Sequence, residues 1–97
     1  MKPRKDIEKI LKEHRKELAE KYKVKELGIF GSCVRDEQRK RSDVDILVEF
    51  DEVPDLLKFI ELERHLERLL GRKVDLVRKQ ALRQELRDTI LSEVITI

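Results

Sequence analysis

Three aspartates stand inside apolar segments, at positions where a buried strand would normally carry aliphatic residues. Asp43 and Asp45 flank Val44 at the start of the run DVDILVEF, and Asp75 interrupts the run KVDLV. Because side chains alternate between the two faces of a strand, Asp43 and Asp45 point to the same side. Neighbouring carboxylates repel one another, so a divalent cation between them would explain the arrangement. Mg²⁺ takes carboxylate oxygens together with phosphate oxygens of a substrate, which predicts metal-dependent chemistry on a nucleoside triphosphate.

A Gly-Ser pair precedes the acidic pair by ten residues. A glycine after a strand lets the backbone approach a ligand closely, and the N–H groups of a following helix start can bind phosphate. Gly31 and Ser32 are therefore candidate triphosphate ligands, and Arg35 could neutralise phosphate charge. Taken alone, each motif has an ordinary interpretation, a capped turn or exposed acids in surface ion pairs. The combination favours a site in which two Mg²⁺ ions about 4 Å apart hold the phosphoryl group.

Length and composition restrict the class of protein. The chain has 97 residues, of which 39% are hydrophobic and 45% are charged, with a net charge of +2. We expect a single catalytic domain, residues 1–97, and the mixed charges do not indicate a nucleic-acid-binding face. Cys33 has no second cysteine to pair with, and no apolar stretch approaches the ~20 residues of a membrane span. We therefore expect a soluble, cytoplasmic protein without a membrane contact.

Hydrophobic periodicity predicts alternating helices and strands. The expected elements are helix 5–22, strand 24–30, a short helix 33–37, strand 43–50, helix 55–70, strand 72–78, helix 81–92 and a short strand 94–97. This order predicts an α+β fold, a small mixed β-sheet with helices packed mainly on one face. In such a sheet Asp45 and Asp75 can share a face if their strands are neighbours. His14 and His65 lack metal-ligand spacing and are predicted to be structural or surface residues.

The central motif resembles the signature of the nucleotidyltransferase superfamily that includes DNA polymerase beta. That signature is Gly-Ser, ten residues, Asp-x-Asp and a third carboxylate on a later strand, and this chain matches it with Gly31-Ser32, Asp43-Val44-Asp45 and Asp75. The short length is similar to that of the minimal nucleotidyltransferases, the MntA-like adenylyltransferase antitoxins. Members often read Gly-Ser-x-Ala-Arg-Gly; this chain retains the arginine as Arg35 and carries Asp36 in place of the last glycine.

The resemblance implies a polymerase beta-like nucleotidyltransferase fold and transfer of AMP from ATP to a hydroxyl, with pyrophosphate leaving. It implies that Asp43 and Asp45 bind both Mg²⁺ ions, and that Asp75 binds the catalytic ion and helps to orient or deprotonate the acceptor. The Gly-Ser pair would hold the triphosphate. Minimal members are typically paired with a HEPN-domain toxin, which they neutralise by AMP transfer to a tyrosine. The resemblance therefore implies an antitoxin role and a HEPN partner.

Three classes of function remain open from the sequence. The first is this Mg²⁺-dependent transfer of AMP to a protein hydroxyl. The second is a non-catalytic antitoxin module, which Asp36 favours and the three intact acids oppose. The third is nucleotidyl transfer to RNA or to a small molecule, for which the chain lacks a basic face or an additional helical domain. Because few residues remain to bind an acceptor, we expect a partner or a second copy of the chain, a homo-oligomer, to complete that site.

Overall fold

The N-terminal amphipathic segment forms helix α1, Arg4–Tyr22. The computed structural model describes residues 4–31 and 43–97, so the predicted short helix 33–37 lies outside the described residues. Ile7, Leu11 and Leu18 of α1 are fully buried, as their spacing along one helix face requires. The helix ends at Lys23, which takes a left-handed conformation with φ 60° and turns the chain directly into the first strand.

Four strands form one mixed sheet in the order β3-β2-β1-β4. They are β1 Val24–Phe30, β2 Val44–Phe50, β3 Val74–Arg78 and the two-residue β4 Ile95–Thr96. β1 runs antiparallel to both β2 and β4, whereas β2 and β3 are parallel. A parallel pair needs a crossover connection, and the helix between β2 and β3 supplies it.

This crossover helix, α2, spans Leu56–Leu70, and both of its ends carry the signals expected from the sequence. At the start, Asp55 Oδ1 accepts a hydrogen bond of 2.8 Å from the backbone N–H of Lys58. At the end, Gly71 has φ 67° and donates its N–H to the Glu67 carbonyl at 2.8 Å. A residue with a β-carbon is strained at this φ, so glycine is the suitable helix terminator here.

One face of the sheet packs against α1 and α2 and contains the core. The alternation of β2 directs Val44, Ile46, Val48 and Phe50 to this face, and all four are buried. They meet the apolar stripe of α2, in which Leu62, Leu66 and Leu70 are fully buried. The α+β fold with a mixed sheet and helices mainly on one face is thus confirmed.

The C-terminal segment returns over the opposite face of the sheet. A 3₁₀ turn, Lys79–Ala81, precedes helix α3, Gln84–Glu93. A β-carbon on Gly28 would lie only 2.6 Å from Val94 Cγ2, so the glycine allows this segment to approach β1. Within residues 4–31 and 43–97, no helix combines the length and apolar character needed to cross a membrane.

Candidate active site

The aspartate positions meet at one end of the sheet. In the parallel β2–β3 pair, Asp45 is the register partner of Asp75, so their side chains leave the same face on neighbouring strands. Asp43, two residues before Asp45, falls on the same side, away from the core. Asp43 and Asp75 are exposed and Asp45 is half-buried. The face that carries the acids is therefore open to a soluble substrate at this end.

Gly31 borders this acidic cluster on the β1 side. Phe30, the last residue of β1, is the register partner of Asp45, and Gly31 follows it directly. Gly31 has φ 72°, and a β-carbon built on it would collide with the Asp45 carboxylate. Glycine is required here both for the backbone conformation and for the space that the carboxylate occupies. Ser32, Arg35 and the departure at Asp36 lie outside the described residues.

The three aspartates share a face without forming a ready ligand cluster. Among residues 4–31 and 43–97, no three Asp, Glu, His or Cys side chains are positioned to hold one metal ion. The backbone register places Asp45 beside Asp75, but their side-chain oxygens are not gathered with those of Asp43. Asp43 and Asp75 are exposed, so their side chains have room to change rotamer when an ion binds.

Basic residues lie around the end of α2, near the end of the sheet that carries the acids, a feature that the net charge did not reveal. The backbone N–H of Val44 donates to the carbonyl of Lys73 at 2.9 Å, which fixes the 71–73 turn beside the start of β2. A shallow depression of about 420 Å³ at this turn is lined mainly by basic residues, with Glu67 and Gly71 among them: Arg64, Arg68, Arg72 and Lys73. Arg64 and Arg68 are four residues apart on α2, which places them on one side of the helix and was the available sequence signal; Arg72 and Lys73 follow the end of the helix.

A second carboxylate pair occupies the other end of the same sheet face. Glu26 of β1 and Glu49 of β2 are register partners, and Lys79 Nζ lies 4.0 Å from Glu26 Oε2 and 3.8 Å from Glu49 Oε1. Like charges directly opposite on neighbouring strands are destabilising, so Lys79 offsets a repulsion. Lys79, directly after β3, thus links the end of that strand to β1 and β2, and the three side chains line a small cavity of about 80 Å³.

Both histidines contact Glu17, between α1 and α2. His14 Nδ1 lies 3.1 Å from Glu17 Oε2, and His65 Nε2 lies 3.2 Å from Glu17 Oε1 without hydrogen-bond geometry. The hydrogen bond with His14 is the largest cause that lowers the pKa of the Glu17 carboxyl; desolvation, the next largest, opposes it, and electrostatic interactions with His65 and His14 lower the pKa further. These contacts belong to helix packing.

Comparison with known proteins decides the family. Residues 11–97 match the family model described as the nucleotidyltransferase domain. The chain belongs to this family. The nucleotidyltransferase is also 55% identical, over 92 residues, to the protein adenylyltransferase MntA of Thermococcus cleftensis; the match covers 95% of this chain and 93% of that protein. The enzyme class expected from the Gly-Ser and Asp-x-Asp spacing is therefore confirmed.

Solved structures give the same answer for the fold. A structure of a protein proposed to be a minimal nucleotidyltransferase superposes with a TM-score of 0.76 at 36% identity, over 97% of this chain and 91% of that one. A complex of a tri-AMPylated Shewanella oneidensis HEPN toxin with its MNT antitoxin matches with a TM-score of 0.60 at 22% identity, over 96% of this chain and 66% of the other. The polymerase beta-like minimal nucleotidyltransferase fold is confirmed by the first match.

Proposed function

We propose that this nucleotidyltransferase moves AMP from ATP onto a hydroxyl of a partner protein, with Asp43, Asp45 and Asp75 as the ligands of Mg²⁺. The observation that carries the proposal is the direct pairing of Asp45 with Asp75 on the open face of the sheet. Two carboxylates opposite one another on neighbouring strands repel, and a divalent cation turns this repulsion into binding. A fold alone would not require acids at these two positions.

The donor set fits magnesium. All three side chains offer hard carboxylate oxygens, two of them are exposed, and the absence of a side chain at Gly31 leaves the Asp45 carboxylate its space. When bound, the ions would neutralise triphosphate charge and lower the pKa of the attacking hydroxyl. We propose that Asp43, Asp45 and Asp75 would together hold two such ions.

The transfer depends on positioning of the two substrates and on neutralisation of the phosphate charge. The acceptor oxygen forms a bond to the α-phosphorus of ATP, and the bond from that phosphorus to the bridging oxygen of the β-phosphate breaks. Pyrophosphate leaves with the electron pair, and the hydroxyl proton passes to a base, for which Asp75 is the candidate in the described residues. Gly31 and Ser32, with Arg35, are proposed to hold the triphosphate, and residues 1–97 to act as one catalytic domain.

For the acceptor we propose a tyrosine of a HEPN-type toxin, which would make this chain an antitoxin. Support comes from the T. cleftensis relative, a protein adenylyltransferase that is 55% identical to this chain over 92 residues. It also comes from the shared fold with an antitoxin bound to an AMPylated HEPN toxin.

The test uses ATP labelled at the α-phosphate, Mg²⁺, this chain and the HEPN-domain protein encoded nearest to it in its genome. We expect label on that protein, at a tyrosine identified by peptide mass spectrometry, and no label after chelation of the metal. Label on RNA, or on nothing, would contradict the proposed acceptor.

Single substitutions then test the proposed roles of the three aspartates. Asp43→Asn, Asp45→Asn and Asp75→Asn each remove a proposed ligand, while Asp88→Asn removes an exposed acid of α3 and serves as the matched control. Loss of residues that only orient metal ligands typically costs about 10–100-fold, so we expect losses of at least about 100-fold for the first three. Equal labelling by the three variants and the control would remove these aspartates from the mechanism.

A further inference from the structure

Helix α2 presents a surface that the core does not use, and we call it the outer face. Leu62, Leu66 and Leu70 of α2 are fully buried. With 3.6 residues per turn, Leu57 and Arg64 lie on the opposite side of the helix. The outer face divides along its length into an apolar half and a basic half.

The apolar half lies at the start of the helix. Three large aliphatic side chains of the helix are exposed, Leu56 by 72%, Leu57 by 80% and Ile60 by 37%, and Val53, shortly before the helix, is exposed by 60%. Lys58 Nζ lies 3.4 Å from Glu61 Oε2, so these two neighbouring charges compensate each other. Single exposed leucines are normal, but a contiguous aliphatic group of this kind marks a site of interaction with a protein.

The basic half lies at the end of the helix. Arg64, Arg68, Arg72 and Lys73 line one depression, whose single acid is Glu67. Glu67 Oε2 accepts a hydrogen bond of 3.1 Å from the backbone N–H of Val74, so its charge is directed to the start of β3. Arg64, Arg68 and Lys73 beside one carboxylate leave an excess of positive charge, which favours an acidic binding partner.

The two halves have a fixed orientation relative to the active site. The carbonyl of Lys73 accepts the Val44 N–H at 2.9 Å, and the next register positions are Asp45 and Asp75. The basic half therefore adjoins the end of the sheet that carries the aspartates. The apolar half follows the far end of β2, beyond Phe50.

We propose that the outer face of α2 docks the acceptor protein, with an aliphatic patch of that protein on the apolar half and an acidic segment on the basic half. This inference rests on the proposed function and adds the surface and the direction of docking. With its acidic segment held by Arg64 and Arg68, the acceptor would extend past the 71–73 turn to reach the aspartates, which lie on the sheet face away from α2.

The composition of the outer face argues against two other occupants. Nucleic acid would match the arginines, but aliphatic side chains give bases no aromatic surface on which to stack. A second copy paired about a two-fold axis would place Leu57 against Arg68 if the helices were antiparallel, and arginine against arginine if they were parallel. Only a partner of different sequence complements both halves.

The experiment measures affinity by titration calorimetry between this chain and the HEPN-domain protein encoded nearest to it. Arg64→Glu/Arg68→Glu reverses the basic half, and Leu57→Asp interrupts the apolar half. The control is Lys12→Glu/Lys16→Glu, which makes the same charge change with the same spacing on the exposed side of α1. We expect each outer-face variant to bind at least about tenfold more weakly, and the control to bind as the original chain does. Circular dichroism verifies that all variants are folded.

The possible results separate docking from catalysis. Unchanged affinity of both outer-face variants overturns the docking proposal even when the partner is labelled. Weakened affinity without label on the partner supports docking and contradicts the proposed function. No binding of the HEPN-domain protein by the original chain, a dimer in light scattering that Leu57→Asp dissociates, or binding of a mixed-sequence RNA in place of the protein each overturns the assigned occupant.

Discussion

The same sheet face carries two pairs of opposed carboxylates, and we assign a different kind of cation to each pair. At one end, Glu26 and Glu49 face each other with Lys79 between them. At the other end, Asp45 faces Asp75, and for this pair we propose metal ions as the cations. Lys79 belongs to the chain and is therefore a permanent partner of Glu26 and Glu49, so this first pair serves the structure. An exchangeable ion can also bind phosphate, which makes the second pair suitable for catalysis.

The comparison predicts opposite results for stability and activity when one acid is removed from the Asp pair. In Asp75→Asn, we expect AMP transfer to fall by at least about 100-fold, because a proposed ligand of the ion is lost. The free energy of unfolding should stay equal or rise by up to about 1 kcal/mol, because a like-charge pair is relieved. Activity comes from the labelling assay and stability from urea denaturation. A destabilisation of several kcal/mol would show that Asp75 serves the fold.

Gly31→Ala tests the space beside the Asp pair. Gly31 and Gly71 both have positive φ, at 72° and 67°, but only at Gly31 would a β-carbon meet the Asp45 carboxylate. Both alanine variants should lose about 1–2 kcal/mol of stability through backbone strain. Only Gly31→Ala should also lower AMP transfer, by about tenfold or more, since displacement of a metal ligand carries at least the lower outer-shell cost. Equal activity of the two variants would show that Asp45 tolerates the displacement.

Lys79→Met tests the structural pair. The change leaves Glu26 and Glu49 opposite each other without their lysine, and we expect a loss of about 1 kcal/mol in the free energy of unfolding. Adding Glu26→Gln should restore part of this loss, since the repulsion disappears. AMP transfer should be unchanged at temperatures where both proteins are folded. A double-mutant cycle in urea that shows no coupling between the two positions would refute this role of Lys79.

The smallest expected effect concerns a third carboxylate, Glu17, whose partners are histidines. Its pKa is lowered from the ordinary 4.5, chiefly by the hydrogen bond with His14. A lowered pKa in the folded state means that the contribution to stability is present above pH 4.5 and is lost as the pH falls through the lowered value. The thermal midpoint of the original chain should therefore approach that of Glu17→Gln between pH 5 and pH 3. A constant difference over this range would exclude the linkage.

Local signals predicted most of the elements. Alternation in DVDILVEF gave β2, and Asp55 and Gly71 marked the ends of α2, because caps and strand faces depend on a few neighbouring residues. Helix α3 begins at Gln84, after the predicted position 81, because Leu82 is extended with ψ 134°. No Ser, Thr, Asp or Asn stands at 81–84 to fix a helix start, so tertiary contacts determine it.

Contacts between residues far apart in the sequence could not be predicted from the local sequence pattern. The spacing of the motif pointed to the three aspartates, but the direct pairing of Asp45 with Asp75 depends on the length of the α2 crossover. The basic half of the outer face was hidden by Glu63 and Glu67, which cancel charge in the sequence, whereas only Glu67 of the two lines the basic depression. The contact of His14 and His65 with Glu17 joins two helices about fifty positions apart.

The parallel register of β2 and β3 determines what a mispairing of these two strands would do to the protein. A slip of one residue would turn Asp75 toward the helices and bring Val74 and Leu76 out into water. The displacement that separates Asp75 from Asp45 would thus also expose core side chains of β3. A slipped form without the proposed site would therefore not be stably folded. Any molecule of this chain that is stable enough to persist already has its acids aligned.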